Sequence, residues 1–132
     1  MSLPLHIDEH TVGGVVVLQL EGHLVFDEGD RVLRDRIREL VQSGVRNVLI
    51  DLNAVSYVDS GGIGALVEMY MHLKRNGGQL KLLRPSPCAT RVLDITHLAT
   101  VFEIFEDEEH ALHPVVPAPV IAADRVNSVR PR

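Results

Sequence analysis

Residues 48–64 constrain the fold of this chain more than any other stretch, because they combine a strand and a helix start. Residues 48–52 are a short apolar run of the kind that forms a buried strand. From Ile63 onward, apolar residues recur with helical spacing. Asp59 and Ser60 stand just before this periodicity, and both residue types cap helices well. The pattern predicts Ser60 at a helix start beside the carboxyl end of a strand, where open α/β sheets usually meet ligands and partners.

Two glycines follow Ser60 at the position of the first helical turn. Glycine costs roughly 1 kcal/mol relative to alanine inside a helix, so something is expected to offset that cost at Gly61 and Gly62. Without side chains there, another backbone or another protein could reach Ser60 and the free N–H groups of the helix start. A tight loop with a capping serine explains the same residues, and local chemistry alone favours this simpler interpretation.

The rest of the chain alternates strands and helices. Predicted strands occupy 3–11, 15–20, 47–52, 80–83 and 102–105, and predicted helices occupy 28–43, 60–75, 87–96 and 107–112. Thr11-Val12-Gly13-Gly14 suits a hairpin turn between the first two strands, of which the first is expected at an edge. The alternation implies right-handed crossovers and a largely parallel sheet, which the N-terminal hairpin makes mixed.

Details of these elements can also be predicted. Residues 53–58 are expected to carry the chain over the end of the central strand. Asp27 is expected to cap the first helix, with Asp30 in its first turn. The predicted core residues of the three longer helices are Leu33, Ile37, Leu40, Val41, Ile63, Leu66, Val67, Tyr70, Leu73, Val92, Leu93 and Ile95.

Length and charge limit the function classes. The 132 residues suit one domain, and a net charge of −5 argues against nucleic acid as a partner and favours a protein with a basic face. Cys88 is the single cysteine, so no intramolecular disulfide is expected and a buried, inert thiol is the favoured interpretation.

The distribution of prolines predicts a domain over 1–112 and a proline-rich tail over 113–132, which is expected to be extended or disordered. No stretch approaches the roughly 20 apolar residues of a membrane span. The N-terminus also lacks the pattern of a signal peptide. A cytoplasmic protein without membrane contact is therefore expected.

The sequence favours no catalytic, cofactor or metal site. A hydrolase nucleophile elbow needs glycine two residues before the serine, and Val58 stands there. The P-loop and dinucleotide fingerprints are absent, and the close pairs His6/His10 and His110/His113 sit in no zinc motif. A small esterase using Ser60 therefore remains only a weak alternative.

The segment S-Y-V-D-S-G-G-I-G-A-L around Ser60 resembles the phosphorylation-site segment of STAS domains, specifically of the bacterial anti-sigma factor antagonists. The usual form there is D-S-[ST]-G-[LI]-G, after a buried strand and before a helix. The likeness runs from about residue 15 to about residue 112. It includes E-G-H-L near residue 22, G-G-Q-L-K-L-L at 77–83 and R-V-L-D-I-T-H-L at 91–98. It implies a single STAS-like α/β domain, with helices packed on a mixed, mostly parallel sheet.

The resemblance also implies a function. Ser60 corresponds to the serine that a partner kinase phosphorylates, within a partner-binding surface of Asp27, Asp59, Ser60, Gly61 and Gly62. The unphosphorylated protein would bind an anti-sigma factor serine kinase and so regulate transcription indirectly. Phosphorylation would release it, and a serine phosphatase would restore it. The kinase would supply ATP, magnesium and the catalytic base, so this chain would be the substrate and not an enzyme.

Two positions depart from the family pattern. Gly61 stands where many members carry a second Ser or Thr, and Val25 stands where many carry an acidic residue, although Asp27 is close by. These departures keep a second hypothesis open: a STAS scaffold, or a regulatory subunit of another complex, that undergoes no phosphorylation switch. A weak homodimer also stays open.

Overall fold

The computed structural model describes residues 4–112, in which five strands form one sheet in the order of the chain. The predicted tail 113–132 lies outside the described residues. The elements are β1 (His6–Val12), β2 (Val15–Leu24), α1 (Gly29–Gln42), β3 (Asn47–Val58), α2 (Ser60–Arg75), β4 (Gln79–Leu83), α3 (Pro87–Ile95), a 3-10 turn (Leu98–Thr100), β5 (Ile104–Phe105) and α4 (Glu108–Leu112).

The sheet is mixed, as predicted. β1 pairs antiparallel with β2, and the remaining neighbours pair in parallel. Gly13 and Gly14 join β1 to β2 with positive φ angles of 55° and 83°, which suit a two-residue hairpin turn. β1 occupies one edge of the sheet, also as predicted.

The main core lies between one face of the sheet and helices α1, α2 and α3. Alternate residues of the strands point to this face, because successive side chains of a strand leave opposite faces. The predicted stripe of α1 is buried there in full, and α2 adds Ala65 and Met69 to the predicted Ile63, Leu66 and Leu73. A smaller cluster on the opposite face joins Val17, Leu49, Leu83 and Ala111.

The central strand is longer than predicted, because β3 continues to Val58. β2 is also longer than predicted and pairs with β3 as far as Leu24 and Val58, with two register shifts on the way. The extension escapes detection because most of residues 53–57 are exposed. No apolar run therefore marks a buried strand there.

Three smaller predictions also need correction. Ile95 is 69% exposed and therefore not a core residue, whereas its neighbour Leu93 is buried. The last strand covers only Ile104–Phe105, and Phe102 is buried by edge-to-face contact with Tyr70 at a centroid distance of 5.1 Å. Cys88 is half-buried and not fully buried.

Candidate functional site

Ser60 is the first residue of α2, and its side chain is exposed. Asp59 precedes it as the N-cap, and its Oδ1 accepts a hydrogen bond from the Gly62 N–H at 3.0 Å. The same carboxylate accepts from the Phe26 N–H at 3.0 Å (Oδ1) and 3.2 Å (Oδ2). Asp59 thus caps α2 and holds residues 25–28, the β2–α1 loop, against the helix start.

The glycine pair allows this contact. A Cβ placed on Gly61 would lie 2.4 Å from the Phe26 Cβ, and a Cβ on Gly62 would lie 2.0 Å from the Leu24 carbonyl oxygen. Both distances are far shorter than van der Waals contact allows. The close approach that the two glycines predict is therefore made by the chain's own backbone, at the end of β2 and in the β2–α1 loop.

The same contact gives a physical reason for glycine at position 61. A serine or threonine there would drive its Cβ into the Phe26 backbone, because that Cβ would lie only 2.6 Å from the Phe26 Cα. The loop would have to move to accept a second hydroxyl. Ser60 is therefore the only hydroxyl of the D-S-G-G sequence, and Ser56, four residues earlier, donates its own hydroxyl to the Gly22 carbonyl at 3.3 Å.

Two aromatic side chains lie exposed near Ser60. Phe26 is 70% exposed although its backbone lies against Gly61, and Tyr57 at the end of β3 is 52% exposed. The Tyr57 ring makes an edge-to-face contact with His23 at a centroid distance of 5.8 Å. Sequence reasoning missed Phe26, although a large apolar residue beside Asp27 in a polar connection was a signal that could have found it.

Asp27 lies in the β2–α1 loop but does not cap α1, so that prediction was wrong. The helix begins at Gly29 after Glu28, which makes no side-chain capping bond. Asp27 has a left-handed backbone with φ of 65°, and its exposed carboxylate forms an ion pair with Arg31 one turn into the helix. Asp27 thus belongs to the loop that contacts the start of α2 through Phe26.

Asp30 organises the start of α1 in place of Asp27. Its buried carboxylate, 2% exposed, accepts from the backbone N–H groups of Glu28 at 3.0 Å and Arg31 at 2.7 Å, and from Arg34 at 3.1 Å. Burial raises the pKa of Asp30, but the backbone hydrogen bonds and the Arg34 guanidinium together lower it by more. Asp30 is therefore ionised at neutral pH and compensates the N–H groups of the helix start.

Arginines of α1 tie this start to α2. Arg34 donates to Glu68 at 2.8 Å as well as to Asp30, and Arg38 donates to the second oxygen of Glu68 at 2.6 Å. The hydrogen bond to Glu68 is the largest influence that raises the pKa of Arg34. These contacts join α1 to the middle of α2, because Glu68 lies two turns after Ser60.

Residues 4–112 contain no group of three or more His, Cys, Asp or Glu side chains that could hold a metal ion. Over the same residues, no helix has both the length and the apolar character that crossing a membrane requires.

Comparison with known proteins identifies the family. The family model of the STAS domain matches residues 6–111. An anti-sigma F factor antagonist of Paenibacillus polymyxa is 24% identical over 112 residues, covering 85% of this chain and 94% of that protein. An anti-sigma-B factor antagonist of Bacillus subtilis is 37% identical over 78 residues, covering 59% of this chain and 71% of that protein.

Solved structures agree with this. The anti-sigma factor antagonist SpoIIAA in its unphosphorylated form has a TM-score of 0.72 at 24% identity, covering 83% of this chain and 96% of that one. The phosphorylated form of SpoIIAA from Bacillus has a TM-score of 0.67 at 25% identity, covering 84% of this chain and 100% of that one. These similarities confirm the predicted α/β fold.

Proposed function

The chain belongs to the STAS domain family, and we propose that it acts as an anti-sigma factor antagonist controlled by phosphorylation of Ser60. The unphosphorylated form binds an anti-sigma factor serine kinase in the cytoplasm and so frees a sigma factor for transcription. Phosphorylation releases the protein, and a serine phosphatase restores binding. The chain is the substrate of these enzymes and performs no catalysis of its own.

The observation that carries this proposal is the position of Ser60. Its side chain is exposed at the first residue of α2, while Gly61 is half-buried and Gly62 is buried against β2. The hydroxyl is therefore accessible to a kinase, on a backbone that Asp59 and the glycine contacts hold in place. The names of the two relatives described above, both anti-sigma factor antagonists, support the role of an anti-sigma factor antagonist.

A phosphate at Ser60 would change binding more than folding. It adds a charge of about −1.5 to −2 and gains roughly 0.3–1 kcal/mol from the helix dipole. A partner carboxylate about 5 Å away would cost on the order of 3 kcal/mol per unit charge at an effective dielectric of ~20. Taking the phosphate out of water in an interface costs more. The cost of placing the phosphate in the interface exceeds the gain from the helix dipole, so phosphorylation opposes docking. Because Ser60 is exposed, the phosphate leaves the fold unchanged.

The test uses the wild-type chain and its Ser60→Ala and Ser60→Asp variants with purified anti-sigma factor kinases of the same cell. Mass spectrometry after incubation with ATP and magnesium is expected to find phosphate on Ser60 of the wild type and none on the alanine variant. Calorimetric titration is expected to give wild-type affinity for Ser60→Ala. Ser60→Asp should bind at least tenfold more weakly, or about 1.4 kcal/mol.

Ser56→Ala and Tyr57→Phe are matched controls, because they remove the neighbouring hydroxyls and leave Ser60 in place. Both should still accept phosphate. Modification of Ser56 or Tyr57 in the wild type would contradict the assignment, and so would equal binding by the alanine and aspartate variants.

A second candidate function is a STAS scaffold without a phosphorylation switch. Val25 favours it, because this half-buried apolar residue stands at the loop position where the family resemblance places an acid. This candidate predicts a stable complex that both Ser60 variants form equally well, and no phosphate on any residue after incubation with the kinases.

A further inference from the structure

We propose that Phe26 is the apolar anchor of the Ser60 surface and inserts into an apolar pocket, rimmed by basic side chains, on the anti-sigma factor. This inference rests on the proposed function and specifies how the partner is recognised. It adds a residue that the family pattern of the D-S-G-G segment does not contain.

The first argument is the exposure of the ring. Phe26 is 70% exposed. Burying a phenylalanine side chain stabilises a protein more than burying most other side chains does, so this ring leaves a large hydrophobic contribution unused. Ile95 is exposed to the same extent, at 69%, but stands in the last turn of α3, away from the D-S-G-G segment in sequence. Phe26 combines this exposure with direct contact to the start of α2.

The second argument is that the backbone beneath the ring is held firmly. The Phe26 N–H donates to both oxygens of Asp59, and its Cα and Cβ lie against Gly61. The next residue, Asp27, adopts a left-handed backbone and is paired with Arg31. A side chain presented by an ordered loop loses less conformational entropy on docking, which is how aromatic anchors at interface centres gain affinity.

The third argument is the charge around the ring. Asp27, Glu28 and Arg31 lie next to Phe26 and are exposed, with Asp27 and Arg31 paired to each other. Their charges sum to about −1, and the whole chain carries a net charge of −5. An aromatic residue with acidic groups at its rim is complementary to an apolar pocket surrounded by lysine or arginine. A protein partner with that chemistry fits both parts of the surface.

The position of Phe26 also connects docking to phosphorylation. Its Cβ faces Gly61, the residue after Ser60, so the ring and the hydroxyl belong to one surface. Inserting the ring into a pocket would bring Ser60 under the partner. A phosphate there would have to lose its water when the ring docks, which links the modification to the loss of the apolar contact.

The first experiment measures affinity for the purified anti-sigma factor that the wild-type chain binds. Phe26→Ala is expected to bind at least tenfold more weakly, or about 1.4 kcal/mol, and Phe26→Leu should recover part of the loss because it keeps an apolar side chain. Ile95→Ala is the matched control and should bind like the wild type. Thermal melts should show all three variants folded, since neither side chain is part of the core.

The second experiment uses fluorescence. The chain contains no tryptophan, so Phe26→Trp introduces a single probe at the proposed anchor. Difference spectra against the wild-type mixture should show a blue shift of the emission when the anti-sigma factor is added. When Ser60→Asp is combined with Phe26→Trp, the same shift should need at least about tenfold more anti-sigma factor.

The outcomes of these experiments distinguish a failure of the Phe26 anchor from a failure of the proposed function. Wild-type affinity in Phe26→Ala, together with weak binding by Ser60→Asp, would overturn the anchor and leave the proposed function standing. An unshifted emission in a complex that forms would also overturn the anchor, and so would equal losses in Phe26→Ala and Ile95→Ala. Failure of the wild-type chain to bind any anti-sigma factor would overturn the proposed function and this inference with it.

Discussion

The starts of α1 and α2 are both built on an aspartate, but in different ways. Asp59 stands before α2 and caps it through the N–H of Gly62, three residues ahead. Asp30 lies inside the first turn of α1, is buried, and accepts from backbone N–H groups on both sides of itself. One carboxylate lies partly exposed at the candidate docking surface, and the other lies within the fold.

This contrast explains why the cap of one helix can be recognised from the sequence and that of the other cannot. The cap of α2 uses an aspartate and a donor within four residues, so the D-S-G-G pattern contains all of its parts. The start of α1 needs Arg34 from the next turn, and Arg34 is also bound to Glu68 of α2. From the sequence, Asp27 therefore looks like the cap of α1, although the carboxylate that accepts from the backbone N–H groups there is that of Asp30.

The largest expected effect tests the close backbone contact at the start of α2. Gly62→Ala should lower the free energy of unfolding by about 3 kcal/mol, because its Cβ would lie 2.0 Å from the Leu24 carbonyl oxygen. Gly64→Ala is the control in the same helix, where a Cβ meets nothing within 4 Å, and it should raise stability by up to ~1 kcal/mol. Urea unfolding measures both, and equal stability of the two variants would contradict the contact.

The next effect tests the buried acid of α1. Asp30→Asn should cost about 2 kcal/mol at pH 7, the range for a hydrogen bond to a charged group. Because the pKa of Asp30 is lowered in the folded state, its contribution is present above the unfolded pKa of about 3.9 and is lost as the pH falls through the folded pKa.

The stability difference between the wild type and Asp30→Asn should therefore shrink in urea titrations below about pH 4. Asp35→Asn, at an exposed position of the same helix, is the control and should change stability little at neutral pH. A difference for Asp30→Asn that stays constant from neutral to acid pH would show that the ionised carboxylate is not the stabilising group.

A smaller effect is expected at the cap of α2. Asp59→Ala should lower the free energy of unfolding by about 1.5 kcal/mol, because two backbone N–H groups lose their acceptor. Amide hydrogen exchange should become faster at Phe26 and Gly62 in particular. Ser60→Ala leaves the cap in place and should not change these amides. Unchanged protection at Phe26 in Asp59→Ala would mean that the β2–α1 loop is held by other contacts.

The smallest effect distinguishes Asp27 from a true cap. Asp27→Gly removes an exposed ion pair with Arg31 and relieves a left-handed backbone. The two changes oppose each other, so stability should stay within about 0.5 kcal/mol of the wild type. A loss above about 1 kcal/mol in thermal or urea unfolding would restore Asp27 as a cap of α1.

Much of the fold could be predicted because its signals are periodic. The buried stripe of α1 and the Gly13-Gly14 hairpin follow from spacing and turn chemistry, and the structure confirms both. The extension of β3 to Val58 could not be predicted in this way, because its exposed residues carry no apolar pattern. The prediction that Ile95 is a core residue was wrong for the opposite reason. Ile95 is apolar and lies at the end of a helix, but most of its side chain is exposed within residues 4–112.

The order of the elements and the position of Ser60 at the start of α2 follow from the sequence, because each depends on residues a few positions apart. The sequence left Asp59 and Ser60 as alternative caps and favoured a capping serine, whereas the structure shows Asp59 as the cap. Only the tertiary structure shows that Gly61 and Gly62 contact the end of β2 and the β2–α1 loop, and that Phe26 is exposed beside them. These contacts join residues more than thirty positions apart. A local pattern shows where a side chain is missing, but only the packed chain shows which atoms come close enough to need its absence.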